Sequence, residues 1–154
     1  MKAFKGSVLT ATCMAAISVL FFSFSTKMGG DSFEIYVNGK MVVQHYVAVA
    51  KGVENLELGR SFSSGTIDVY YSHCGRVGTG RSITIRNSQN QVLKQWQFAN
   101  AQTKSPMTCQ IREILALQKN KDAKLNLYYS SKELPEGRLL VSITNAGEKT
   151  ASVR

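Results

Sequence analysis

The 154-residue chain is poor in the residues that carry most enzyme chemistry, with two histidines, three cysteines and one tryptophan. His45 and His73 show no HxH or HxxxH spacing and no CxxC pair accompanies them, so no metal-ligand set is legible. The stretch 74–80, CGRVGTG, lacks the Lys-Ser/Thr ending of a nucleotide-binding loop and reads as a flexible strand connection. Glu133 and Glu136 flank Pro135 in a turn-like segment. A solvated turn explains them more simply than the opposed carboxyls of a glycosidase. No cofactor, metal or catalytic residue is implied, and the chain reads as non-enzymatic. Only two prolines occur, and 44% apolar against 19% charged residues is a folding composition that excludes wholesale disorder.

Acidic residues are missing from the whole N-terminal stretch, the first being Asp31. Lys2 and Lys5 precede an apolar run from Val8 to Phe24, and Ser23 and Ser25 supply small side chains before a cleavage point after Ser25. This is the layout of a secretory signal peptide over residues 1–25. It predicts an exported protein, destined for the periplasm, the cell surface or the medium. An uncleaved anchor is the alternative, and the expected membrane contact comes only through it. The run of about 17 residues is at the short limit for a ~30 Å hydrocarbon core. Cys13 lies within the run and does not end it, which disfavours a lipoprotein. Residues 26–154 then form one domain.

The mature part keeps Cys74 and Cys109. In an exported protein an isolated pair most simply makes one disulfide, here closing a loop of about 35 residues and contributing roughly 3–4 kcal/mol in the chain-entropy model. The alternatives are two buried thiols or a reactive thiolate at Cys74. The adjacent His73 is poorly placed for the last, because neighbours on a strand point to opposite faces.

Period-2 alternation dominates what remains. Phe33, Ile35 and Val37 alternate with polar residues, as do Ile67, Val69 and Tyr71, then Ile83 and Ile85, then Leu125, Leu127 and Tyr129, then Leu139, Val141 and Ile143. Each run is a half-buried strand. Asn38-Gly39 between two such runs is a two-residue hairpin signal. Residues 41–49, 53–58 and 91–98 bring the strand count to eight. Ile111, Ile114 and Leu115 break the pattern at helical spacing and predict one short helix near 109–117, covering one end of the fold. The expected fold class is all-β, a two-sheet antiparallel β-sandwich with one short helix, with a partly open barrel as the second choice.

An internal repeat is visible. IDVYYS at Ile67–Ser72 matches LNLYYS at Leu125–Ser130, offset by 58; ENLEL at Glu54–Leu58 parallels EILAL at Glu113–Leu117, offset by 59; Gly80-Arg81 parallels Gly137-Arg138, offset by 57. Low complexity makes β sequences resemble one another, but the ordered series at nearly constant offset points to a pseudo-twofold duplication. Its copies cover about 33–81 and 82–138, with 139–145 as a closing strand.

Three features bear on binding. Tyr36, Tyr70 and Tyr128 are one residue out of phase with the apolar faces of their strands, so they belong on outer faces, where aromatic rings can stack on sugars or partner proteins. Tyrosine is also simply a good strand residue. The net charge is +9, and residues 76–138 hold eleven basic against four acidic groups. Arg81 and Arg86 are the candidate contacts for an acidic ligand drawn by that charge. An ordinary solvated surface would carry the same residues. Nucleic acid is disfavoured as a partner by the export signal.

The segments YYSHCG around Cys74, MTCQIREILALQ around Cys109 and LYYSSKELPEGR resemble small exported bacterial proteins without known activity, over most of residues 31–143. The resemblance implies an exported single-domain protein and brings no catalytic residues with it. The expected function is a non-enzymatic binding or scaffold protein of the cell envelope, with an acidic glycan or a protein as partner. The alternative is a hydrolase of an envelope polymer.

Overall fold

A computed structural model describes residues 30–49, 52–118 and 123–145 and the backbone of Ser152–Val153. The expected signal peptide, residues 1–25, with Cys13, lies outside the described residues. No described helix is long and apolar enough to cross a membrane.

Ten strands are described: β1 (Ser32–Val37), β2 (Lys40–Tyr46), β3 (Glu54–Leu58), β4 (Thr66–Ser72), β5 (Ser82–Arg86), β6 (Val92–Gln97), β7 (Met107–Gln110), β8 (Leu125–Ser131), β9 (Leu134–Asn145) and β10 (Ser152–Val153). One helix, α1 (Ile111–Ala116), and one 3-10 turn, Arg60–Phe62, complete the described elements. The strands form two sheets, A in the order β2-β1-β4-β7 and B in the order β10-β3-β9-β8-β5-β6. The alternation seen in the sequence decides which face is buried. Phe33, Ile35, Ile67, Val69 and Tyr71 from sheet A meet Ile83, Ile85, Leu127, Tyr129 and Val141 from sheet B in a single core. The arrangement is sandwich-like, and neither sheet closes into a barrel.

The sides of the sandwich are closed by side chains and the helix. α1 follows β7, buries Ile111 and Ile114, and reaches the far sheet through Glu113, which accepts from Lys94 Nζ (2.8 Å) and Trp96 Nε1 (3.1 Å) on β6. On the opposite side His45 of β2 meets Glu54 of β3 at 2.5 Å. The β1–β2 hairpin turns at Asn38 and Gly39 with φ of 52° and 77°, the left-handed pair such a turn requires.

Four details differ from the sequence reading. β7 precedes α1, so Cys109 and Gln110, expected at the start of the helix near 109–117, belong to a strand. β9 begins at Leu134, which puts Pro135–Gly137 in a strand with an irregular register to β8 instead of a free turn. β3 runs parallel to β9, so sheet B is mixed and not wholly antiparallel. β3 comes to sheet B by crossing over from β2 in sheet A, and a crossover, unlike a hairpin, does not force antiparallel pairing.

The fourth correction concerns Cys74 and Cys109, which are not joined by a disulfide. Cys109 pairs with Ile67 in the β4–β7 ladder, while Cys74 stands beyond the other end of β4. Five residues of strand already separate Ile67 from Ser72, about 16 Å at ~3.3 Å per residue, whereas a disulfide needs Cα atoms within ~7 Å. Cys109 is buried, and that burial pushes its thiol up to about 12.

The two sheets share a pattern. In sheet A the β1–β2 hairpin places β1 against β4, with Ser32 opposite Ser72 and Phe33 opposite Tyr71. In sheet B the β5–β6 hairpin places β5 against β8, with Ser82 opposite Ser130 and Ile83 opposite Tyr129. Each hairpin carries a bulge at the corresponding step, after Ile35 and after Ile85. The third strands exchange sheets: β3 leaves β2 for sheet B, and β7 leaves β6 for sheet A. The ENLEL and EILAL segments have no such relation, since Leu56 lies on β3 and Leu115 on α1.

Candidate functional site

Outward residues of β1 and β4 form the floor of a recess on sheet A with a volume of about 560 Å³. That lies within the ~300–1,000 Å³ range of small-ligand sites. The recess is walled by the segments Gly75–Val77 and Ala101–Lys104. Register explains the floor: Glu34 lies opposite Tyr70, and Ser32 opposite Ser72.

Lys104 reaches across the recess to Glu34, its Nζ donating to both carboxylate oxygens at 2.7 and 2.8 Å. The same ammonium sits 5.1 Å from the centroid of the Tyr70 ring. Tyr36 packs edge-on against Tyr70 with centroids 5.5 Å apart and donates its hydroxyl to Glu34 (3.0 Å). The Lys104 hydrogen bond holds the Glu34 carboxyl below its ordinary value, and the Glu34 carboxylate holds Lys104 and Tyr36 above theirs. Glu34 and Lys104 therefore cancel as charges across the recess.

Arg76 supplies the remaining charge. His73 and Arg76 exchange backbone hydrogen bonds of 2.8 and 3.0 Å around Cys74 and Gly75, whose φ values are 50° and 87°. Two consecutive left-handed residues between a bridged pair make a tight primed hairpin turn. Gly75 N also donates to Ser72 Oγ (2.9 Å). The glycine-rich stretch read as a flexible connection is thus a tied turn that fixes Arg76 at the rim. Among the described residues the Arg76 side chain makes no ion pair or hydrogen bond, and it is exposed.

The five binding residues expected from sequence fall in three places. Tyr36 and Tyr70 share the sheet A face. Tyr128 lies on the outer face of sheet B with Arg86 stacked over its ring, Cζ 4.4 Å from the centroid, so the three tyrosines do not line one surface. Arg81 is 3% exposed and donates to the carbonyls of Ala99 (2.7 Å) and Ser105 (3.0 Å). It ties the chain leading into β7 to the start of β5 and faces no solvent. Arg76, Glu34 and Lys104 escaped the sequence reading. Alternation placed Glu34 on the outer face, but nothing in the pattern links it to a residue 70 positions later.

A polar knot lies behind the recess, where the two sheets meet. Asp31 accepts the Tyr71 hydroxyl (2.8 Å), and its Oδ2 lies 3.4 Å from His73 Nδ1 and 3.8 Å from Arg138 Nη1. His73 Nε2 is 3.0 Å from the Tyr129 hydroxyl and 3.1 Å from Ser131 Oγ. Burial raises the Tyr71 and Tyr129 hydroxyls, with the bond to Asp31 adding to the effect at Tyr71. Gly78 roofs the knot: a Cβ there would stand 2.5 Å from the Tyr129 hydroxyl and 3.0 Å from His73 Nε2. The adjacent Thr79 is anchored by Glu133, which accepts from its backbone N (2.9 Å) and its Oγ1 (2.9 Å). Ser131 is 5% exposed.

Among the described residues no group of three or more His, Cys, Asp or Glu side chains could hold a metal ion. No protein-family model matches the chain, and neither a curated protein nor a solved structure matches it.

Proposed function

We propose that this chain is an exported, non-enzymatic binding protein of the cell envelope, and that the recess on sheet A is where its ligand sits. The observation that carries this reading is the convergence of Tyr70, the Glu34–Lys104 pair and the uncommitted Arg76 on one concave surface. An aromatic floor with a few convergent polar groups is the usual make-up of a small-ligand site. A glycan suits it better than a protein partner, because the polar groups outnumber apolar anchors. The net charge of +9 favours an acidic glycan by raising its local concentration and on-rate. The basic groups are nevertheless dispersed, since Arg81 is buried, Lys94 is paired with Glu113, and Arg86 lies over Tyr128.

The test is titration of the mature protein with acidic and neutral envelope oligosaccharides at low and high salt. Tyr70→Ala should abolish binding, and acidic ligands should lose affinity as the Debye length falls from ~10 Å at 0.1 M to ~3 Å at 1 M. Tyr128→Ala should leave binding unchanged. Binding of no oligosaccharide would sink the glycan reading and leave a protein partner or a scaffold role. Export is tested by N-terminal sequencing of protein recovered outside the cytoplasm, with Thr26 as the expected first residue.

The hydrolase alternative draws on one observation, the series Asp31, His73, Ser131. It is the less favoured reading, because a nucleophile must be reachable and Ser131 is buried under the Gly78 segment. Loss of any hydrolytic activity on Ser131→Ala would favour it.

We also propose that the domain is a pseudo-twofold duplication. Its supports are the matched registers, the matched bulges and the exchanged third strands, with β9 as the added strand between β8 and β3. Superposition of β1, β2 and β4 on β5, β6 and β8 should bring Tyr70 onto Tyr128. A superposition that fails in register would refute it.

A further inference from the structure

We infer that the ligand carries a single carboxylate, as in a hexuronic acid residue, and that Arg76 is the residue that reads it. The inference rests on the recess being a glycan site and specifies what that site selects. Three charged side chains line the recess: Glu34, Lys104 and Arg76. Glu34 and Lys104 are joined at 2.7 Å and are electrically complete. Among the described residues Arg76 alone of the three has no side-chain partner, so the recess presents one uncompensated positive charge. A ligand with one anionic group completes that balance. A ligand with several sulfates or phosphates would bring charges for which the recess has no further free cation among the described residues.

Geometry favours a carboxylate for that single group. A guanidinium presents parallel N–H donors that match the two oxygens of a carboxylate, and such bidentate pairs are among the strongest hydrogen bonds in proteins. Their strength depends on the fork being held in place. Arg76 is held by the His73–Arg76 bridge and the left-handed Cys74-Gly75 turn, so its backbone is fixed before the ligand arrives. Across the recess Glu34 keeps acceptor capacity beside the Lys104 donor. An acceptor next to a donor suits the adjacent hydroxyls of a sugar ring, and Tyr70 lies beneath them. Lys104 lies over part of the Tyr70 ring, and its side chain is 61% exposed, so the recess stays open to solvent beside it.

The experiment is calorimetric titration of the mature protein with a glucuronate-containing oligosaccharide, the same oligosaccharide after reduction of its carboxyls to alcohols, and a sulfated oligosaccharide of equal length. The wild type should bind the glucuronate form about tenfold more tightly than the reduced form, the scale of one charge-assisted contact. Arg76→Ala should erase that difference while leaving the reduced form bound as before, and Arg76→Lys should restore only part of it. Glu34→Gln should weaken both forms alike. Arg112→Ala, an exposed arginine on α1, should change nothing. Arg76 makes its turn contacts through its backbone, so the variant keeps the fold, which a thermal melt checks. Persistence of the preference in Arg76→Ala, or tighter binding of the sulfated form, overturns the inference. Equal binding of both forms by the wild type, lost on Tyr70→Ala, overturns it too and leaves the glycan site standing. If no form binds, the glycan site itself is refuted and the inference goes with it.

Discussion

Tyr71 and Tyr129 stack face to face across the core, ring centroids 4.0 Å apart and planes within 10°. They occupy matched positions of β4 and β8, opposite Phe33 and Ile83 respectively, so one residue pair joins the two sheets. Both hydroxyls end in the polar knot, Tyr71 on Asp31 and Tyr129 beside His73. Replacing either ring by alanine should destabilise the protein by about 3–5 kcal/mol in urea titration, as for other large buried aromatics. A double-mutant cycle between them should return a coupling of about 0.5–1.5 kcal/mol beyond the area term. Strict additivity would show that the stack contributes nothing of its own.

Arg81 should act on stability and not on ligand binding, since it is buried and bonded to two carbonyls. Arg81→Ala leaves the Ala99 and Ser105 carbonyls without their charged donor and should cost about 2–3 kcal/mol. The salt dependence of ligand binding should stay as in the wild type. A fall in that salt dependence with unchanged denaturation midpoint would return Arg81 to the binding surface.

Glu133 gives a pH signature. The Thr79 backbone N–H lowers its carboxyl from 4.5 to about 2. A carboxyl that is more acidic in the folded chain stabilises the fold at neutral pH, and that contribution fades as pH falls from about 4.5 through about 2. Glu133→Gln lacks the fading term, so its stability curve should lie below the wild type at neutral pH and approach it as the medium is acidified. Parallel curves over that window would refute the assignment.

The thiols should differ in reactivity. In chain starting at Thr26, alkylation of the native protein at pH 8 should modify the exposed Cys74 and spare Cys109, which is buried and hard to ionise. Denaturation should then expose the second thiol without reductant. A chain in which neither thiol reacts after denaturation contains the disulfide that the strand register opposes.

Gly78→Ala probes the knot. The added Cβ meets the Tyr129 hydroxyl at 2.5 Å and cannot be accommodated without moving the 77–79 segment or the ring. The expected loss is about 1–3 kcal/mol. An unchanged melting temperature would show that the segment yields freely.

Period-2 alternation was enough to place most strands and their buried faces, because burial on one side of a sheet imposes it. Ile67, Val69 and Tyr71 point inward as that pattern requires, and Asn38-Gly39 turns the first hairpin. β7 was hidden because four residues are too few to show a period and they run straight into α1. The start of β9 was masked by Pro135 and Gly137, residues that ordinarily break strands but here sit in an irregular register. At the recess, the outward phase of Tyr36 and Tyr70 was legible. The role of Arg76 was not, since it depends on a turn buried in a glycine-rich stretch. Arg81 misled because charge is read as exposure unless its acceptors, here two distant carbonyls, are known.

The exchange of third strands also sets when the protein can finish folding. Among the described residues β3 has strand partners only in β9 and β10, so Leu56 waits for Ile143 and Val153. Its ladders among the described residues are all made with segments far downstream in the sequence. Pairings so distant in sequence close slowly, because the loop entropy is spent before the contact is made. Nascent chain lacking residues beyond 133 therefore carries an unpaired β3, with Leu56 and Leu58 uncovered, and an incomplete sheet B. Until β9 is available the apolar side chains of β3 have no sheet to cover them, and β3 is the segment on which a holding chaperone would act.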